Sequence, residues 1–497
     1  MKSISPIISS ILIIVITVAI AGLFYAWTTG MFNSLTSSSS SYVQRQATYV
    51  SFTIPNIYCS NGFLYFTIYN NGNIPIVPSN IILTITENYN TYFINGSNII
   101  CNNNIISSNS QNTCYVNNSL CIYNTNFDIN PSISITYNGV NQNQNLGLGY
   151  IIIQFSSTVP IIINNTQNIS TPVPFQQDIA ICNGSISFGN NFAYINDSTL
   201  FNQINPNGQN VLFYNNNGLL YSWYEGQDNI NGTLCDVWWI KLPNGISNNT
   251  NITIYMGIGN NTNYYQLLYP YVGISAYWYC YEEGYTNMPQ CLNYGVYDNG
   301  QDVFNYYWNF AGTSLPSSLS TLLNGGTVTV NNGVTLSPGN AETDVYSNVA
   351  IITPTVVEAY VGSVYNSDAA VFFSKNDINS TPSSGANIYN GYIGGYAAGP
   401  KTAQLWKDVN GIYYPLVTGS GFSSPQIISL YWGGNGNEYV TFNYINNLSS
   451  TDNTFSVGSY LVGLTTYNHG TSPYATFYWL RTCMYSPNGV MPSIYIG

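Results

Sequence analysis

The sequence predicts an all-β protein, with tandem β-sandwich and jelly-roll domains carried on a single N-terminal hydrophobic α-helix. Three observations predict it. An uncharged run from Ile4 to Met31 has the length and composition of a helix that needs apolar surroundings. From Thr48 onward, β-branched and aromatic runs of about 4–8 residues alternate with Asn-Gly and other turn pairs. The chain has 497 residues, 45% of them hydrophobic and 15% aromatic, so it can bury several cores and is not disordered.

The helix comes first. Its centre, Ile11 to Ala21, is almost purely aliphatic, and about 25 residues at 1.5 Å rise cross a hydrocarbon core of ~30 Å. Lys2 lies before the run, and Tyr25 and Trp27 near its far end suit the opposite interface, which places the N-terminus inside and the body outside. Here the basic residue precedes the apolar run instead of a small-residue site following it. Lys2-Ser3-Ile4-Ser5-Pro6-Ile7-Ile8 and the run to Gly30 resemble the class III signal of archaeal type IV pilin-like proteins. The resemblance implies cleavage between Lys2 and Ser3, with the retained helix (residues 4–31) in a filament core. A plain membrane anchor is the alternative.

A Ser-rich stretch, Ser37 to Tyr42, closes this first segment (1–42) as a helix end or linker. In 43–160, runs such as Phe63 to Tyr69, Ile81 to Thr86 and Ser132 to Tyr137 predict an antiparallel sandwich. Phe63 to Ile76 resembles the immunoglobulin-like head of archaeal pilins and archaellins. Pro160, Pro172 and Pro174 interrupt the next stretch, which sets a boundary near 160–172. In 172–296, the strand Leu219 to Glu225, the strand Cys235 to Pro243 and the strand Asn251 to Asn260 follow in order. They resemble an uncharacterised β-sandwich module of archaeal and bacterial surface proteins. From Tyr297 to the C-terminus, strands such as Val356 to Tyr360 and Ile427 to Trp432, with the closing Trp479 to Ser493, resemble a concanavalin/laminin-G-like jelly roll. Periodicity alone predicts two packed sheets there.

The cysteines fall as one even set, Cys59, Cys101, Cys114 and Cys121, then a second, Cys182, Cys235, Cys280 and Cys291, with Cys483 alone. No Cys-x-x-Cys occurs and His469 is the single histidine, so disulfides outside the cell are the better reading than zinc. Four cysteines allow three pairings each; Cys114–Cys121 and Cys280–Cys291 are the candidates for local bridges, and Cys483 is expected to be buried and inert. Glycosylation sequons occur at Asn95, Asn117, Asn164, Asn168, Asn183, Asn196, Asn231, Asn248, Asn251, Asn260, Asn379 and Asn447.

Charge narrows the function. Asp, Glu, Lys and Arg reach only 5%, against roughly 25% in ordinary domains. The seven Lys and Arg are scattered, which excludes nucleic-acid binding. Asn, 72 residues of it, supplies hydration that does not titrate. Full protonation of the 19 acidic groups moves the formal charge from −12 to about +8, so an acidic habitat costs little self-repulsion.

The seven glutamates are scattered, Glu282-Glu283 would point to opposite faces of a strand, and no Gly-x-Ser-x-Gly elbow accompanies His469, which sits in the turn Asn468-His-Gly470. No catalyst is expected. Asp298 and Asp302, spaced around Gly300, could open a calcium loop, with a tight Asx turn as the rival; no other cofactor is expected. Trp223-Tyr224, Trp238-Trp239, Tyr277 to Tyr279 and Tyr306 to Trp308 are candidates for stacking on sugars or for core and interface packing. The combined reading is an extracellular pilin-like or membrane-anchored surface protein or adhesin of an acidophilic, thermophilic archaeon, associating with itself, with other surface proteins or with glycans. The alternatives are a virus-encoded spike and a lectin or glycoside hydrolase.

Overall fold

The computed structural model describes all residues except 1–5, 48, 88–89, 124–128, 231, 261, 376–377, 381–386, 421, 425 and 435. The expected processing site, Lys2-Ser3, and the sequon at Asn231 lie outside the described residues. The chain divides into two compact units, Met1–Gln154 and Phe155–Gly497.

The first unit opens with the helix Pro6–Ala47. Its stretch Ile7–Ser34, 28 residues, is long and apolar enough to cross a membrane, at about 42 Å of rise against a hydrocarbon core of ~30 Å. Ile11, Leu12, Ile13, Ile14, Val18 and Leu23 are all exposed. Thr28 and Thr29 donate their hydroxyls within the helix to the carbonyls of Phe24 and Tyr25 at 2.8 and 2.7 Å.

Beyond the helix, two four-stranded antiparallel sheets and the two-stranded pair Ser119–Tyr123 with Tyr150–Gln154 enclose one core. The strand Phe63–Asn70 shows why: Leu64, Phe66 and Ile68 are fully buried and alternate with residues facing outward. Its hairpin to Phe52–Ser60 turns at Asn61-Gly62, with φ of 49° and 78°, the left-handed pair that a two-residue turn requires. Disulfides join Cys59 to Cys121 and Cys101 to Cys114. The expected local bridge Cys114–Cys121 is therefore corrected: strand pairing sets Cys114 directly opposite Cys101, so register and not loop length selects the partner.

The second unit holds the module and the jelly roll. The boundary expected at 160–172 does not divide it, because Ser157–Asn165 is a strand of the module, paired with Thr250–Ile258 on one side and with the C-terminal strand Ser493–Ile496 on the other. The module's other sheet runs, in spatial order, Tyr194–Asn196, Phe175–Cys182, Thr233–Leu242, Ser222–Ile230 and Val272–Ile274. Disulfides Cys182–Cys235 and Cys280–Cys291 lie within the module. Glu282 ends a short helix, Ala276–Glu282, rather than a strand. The module extends past the expected limit at 296, since Asn299 Nδ2 donates to the carbonyls of Ser222 and Pro270 at 2.9 and 2.7 Å. The limits 172–296 and 297–497 are corrected accordingly: the jelly roll proper begins near Tyr306, and the last strand returns to the module.

The jelly roll is two eight-stranded sheets over a core that includes Val357, Ala359, Phe373, Leu430, Trp432, Val462 and Phe477. One sheet is buried on both faces. Along Thr355–Tyr365, Val357, Ala359 and Val361 enter the jelly-roll core while Glu358 and Tyr360 face the module. The other sheet carries a second, smaller cluster on its outer face, where Ala370, Phe372, Tyr389 and Ile393 are buried and Trp406 and Tyr413 pack against them.

Candidate functional site

Two polar constellations stand out in the second unit: a charge cluster sealed between the sandwiches and an open cavity on the outer sheet. The cluster is built by register. Pairing aligns Glu358 with Ser429 on one side and Arg481 on the other. Arg481 is fully buried; its Nε donates to Glu358 Oε2 and its Nη2 to Glu225 Oε2, each at 2.7 Å. Tyr444 donates its hydroxyl to Glu225 Oε1 at 2.6 Å. The guanidinium carbon lies 4.4 to 5.2 Å from the ring centroids of Trp479, Trp239, Phe304 and Trp223. Burial raises the Glu225 carboxyl, opposed by Arg481 and Tyr444. Trp223, Trp238 and Trp239 are no more than 2% exposed, so of the two readings offered for these runs the Trp223-Tyr224 and Trp238-Trp239 pairs fit interior packing, whereas Tyr277 to Tyr279, Tyr306 and Tyr307 are half-buried.

Asp298 belongs to the same packing. Its Oδ1 accepts from Trp223 Nε1 at 2.8 Å and from Gly300 N at 3.1 Å, and its Oδ2 accepts from Ala276 N at 3.0 Å and from the Tyr307 hydroxyl at 2.7 Å. Four protein donors occupy the oxygens that a cation would need. Asp302 is not among Asp298's partners, and no group of three His, Cys, Asp or Glu among the described residues is placed to hold a metal. Of the two readings offered for this segment, the geometry at Asp298 fits the Asx turn, while Asp302 lies half-buried in the short helix Gly300–Val303.

The cavity, about 430 Å3, lies on the outer face of the second jelly-roll sheet. Alternation builds it: where Ala369, Val371, Ala403, Leu405 and Leu464 enter the core, their neighbours Ala370, Gln404, Trp406 and Thr465 face the cavity. Trp406, Tyr413, Tyr389 and Tyr467 supply aromatic wall, and Glu342, Asp368 and His469 supply polar groups. Glu342 Oε2 accepts from Asn387 N at 3.2 Å, and burial raises this carboxyl despite that bond and one from Tyr413. Asp368 Oδ1 accepts from Ala398 N at 2.6 Å and pairs with His469 Nε2 at 2.8 Å; burial still holds it above the usual carboxylate range. Behind the wall, Asp344 accepts from the Tyr389 hydroxyl at 2.9 Å and from Asn387 Nδ2, and burial pushes it up to about 7.

Sequence reasoning missed this site. His469 was placed in its turn, but nothing local shows that an isolated bridge, Ser367 to Asn468, brings it to Asp368. Of the predicted sequons, Asn95, Asn117, Asn168, Asn183, Asn196, Asn248, Asn251 and Asn260 are exposed and Asn164 is half-buried. Asn379 is the first residue of a two-residue strand and Asn447 lies in the strand Ile445–Thr451. Cys483 is a free, buried thiol.

No protein-family model matches the chain. It is similar to uncharacterized protein 562 of Sulfolobus islandicus rod-shaped virus 1, 28% identical over 376 residues that cover 67% of this chain and 58% of the viral protein. The chain therefore matches a little over half the length of that relative. Among solved structures it is similar to the VIP36 exoplasmic/lumenal domain bound to Ca2+ and Man3GlcNAc (10% identity, 34% of this chain and 84% of that one, TM-score 0.29). It is likewise similar to the Emp47p carbohydrate recognition domain (11% identity, 36% and 95%, TM-score 0.29) and to a galectin-like protein of unknown function from Bacillus subtilis (12% identity, 36% and 94%, TM-score 0.30).

Proposed function

We propose that this chain is a surface-anchored saccharide-binding protein, with its helix in a membrane or a helical filament core, its β body outside, and a sugar held in the jelly-roll cavity. The observation that carries the reading is the cavity itself: Trp406 and Tyr413 beside Glu342 and Asp368, in an open cavity on the outer face of a jelly-roll sheet, in a chain whose N-terminal helix is long and apolar enough to cross a membrane. Aromatic rings cover the apolar face of a pyranose, and carboxylates accept from its hydroxyls. A cavity of about 430 Å3 falls within the ~300–1,000 Å3 range of small-ligand sites. The four disulfides fit an oxidising exterior, and the rod-shaped-virus relative supports display on a virion or on the host envelope. The role is binding and attachment rather than catalysis. The filament form of the anchor rests on the uncharged stretch Ile7–Ser34 of the helix and requires a mature N-terminus at Ser3.

Isothermal titration of the full chain in detergent micelles against neutral oligosaccharides tests the reading. Binding that Trp406→Ala weakens at least tenfold, without loss of thermal stability, is the expected result. Heat of binding unchanged by Trp406→Ala and by Tyr413→Ala would place the sugar elsewhere and overturn it.

A further inference from the structure

We infer that the cavity selects neutral or amine-bearing saccharides and rejects uronates and other anionic sugars. This inference rests on the saccharide reading above and deepens it to a ligand class. Two carboxylates, Glu342 and Asp368, line the cavity. Two more, Asp344 and Asp408, lie just behind it: Tyr389 donates its hydroxyl to Asp344 Oδ1 at 2.9 Å and its N–H to Asp408 Oδ1 at 2.9 Å.

Positive charge is scarce among the described lining residues themselves; Lys401 follows the lining Pro400 and Lys375 donates its N–H to the Tyr389 carbonyl, but neither lines the cavity. Of the described lining residues only His469 can carry a cation, and its Nε2 is already committed to Asp368 at 2.8 Å. Lys407 neighbours Trp406 in sequence, but its Nζ is held by Asp452 Oδ2 at 2.6 Å and Thr454 Oγ1 at 2.7 Å. No arginine lines the cavity, so the fork that recognises a sugar carboxylate or sulfate is missing from its described lining. The Tyr389 hydroxyl is held by Asp344 and Thr465 and the Tyr413 hydroxyl by the Asn387 carbonyl, which leaves Gln404 among the lining residues to serve sugar hydroxyls as donor and acceptor. Burial raises Glu342 and Asp368, so they repel an anion only at a pH where both are ionised; there, an anionic ring seated against Trp406 meets like charge in a partly desolvated site, whereas an amine meets two acceptors.

Matched tetrasaccharides on two backbones test this with the full chain at pH 8.5, where the raised carboxylates are ionised: glucose, glucosamine and glucuronate in one set, mannose and mannuronate in the other. The expected result is at least about tenfold weaker binding of each uronate than of its neutral counterpart, with the gap narrowing in Glu342→Gln. Because that variant could fold poorly, the same gap is also read in the unaltered protein at low and high salt, where screening narrows it. Uronates binding as tightly as neutral sugars, or a gap indifferent to both salt and Glu342→Gln, overturns the inference and leaves the saccharide reading standing. Absence of binding to every tetramer overturns both.

Discussion

Replacing Arg481 by Met tests the claim that module and jelly roll form one body around a buried charge cluster. The substitution keeps much of the side-chain length and its contact with Trp239 and Trp479, but removes the only cation from between Glu225 and Glu358. Breaking one side of a buried pair costs ~3–5 kcal/mol, because the abandoned charge stays desolvated. Two carboxylates are abandoned here, and protonation of Glu225, which burial already raises, limits the loss. At pH 7 the expected destabilisation is therefore about 4 kcal/mol, shrinking at pH 4. Urea unfolding of the full chain, followed by tryptophan fluorescence, reads it directly, because Trp223, Trp239 and Trp479 surround the site. Adding Glu225→Gln and Glu358→Gln to Arg481→Met should recover most of the loss. A change below about 1 kcal/mol at pH 7, or an equal loss at both pH values, would refute the reasoning.

Stability should fall as pH rises from about 4.5 to 7.5. Burial pushes Glu87, Asp236, Asp344 and Glu438 up to about 7, so the folded chain holds more protons than the unfolded one across that window, and ∂ΔG/∂pH is negative. Asp452, lowered to about 2 chiefly by its bond from Lys407, works in the opposite direction and withdraws its contribution only as pH drops below about 4. A melting temperature highest near pH 4 and lower at 7.5 is the expected profile; a rise towards neutrality contradicts it. Removing the Cys182–Cys235 disulfide, with a sequence separation of 53, should cost about 4 kcal/mol by loop entropy, measured by unfolding of the Cys182→Ala/Cys235→Ala variant. Asp298→Ala strands the Trp223 and Tyr307 donors and should destabilise by about 3 kcal/mol. Calcium should leave the melting temperature of the unaltered protein unchanged, whereas a clear calcium-dependent rise would restore the ion-loop reading.

The strands were legible because alternation is local. Leu64, Phe66 and Ile68 declare a buried face without reference to anything else in the chain. The domain limits were not, because they depend on a partner more than three hundred residues away. Pro160 looked incompatible with a strand, yet its carbonyl accepts from Gly497 N at 2.9 Å, beyond the last residue that Ser493–Ile496 pairs, so its missing N–H breaks no ladder bond. The Cys101–Cys114 bridge and the Glu358–Arg481 pair have the same origin in register. The cavity was the least legible element. Glu342, Asp368, Trp406, Tyr413 and His469 come from separate strands and turns, and each is unremarkable alone. Only the order of strands in the outer sheet brings them together.

A structure of the full chain with a bound neutral oligosaccharide tests the central claim most directly. The account predicts a pyranose ring stacked against Trp406 or Tyr413, with hydroxyls donating to Glu342 and Asp368. A sugar bound at another surface, with this cavity free of it at saturating ligand, would contradict it.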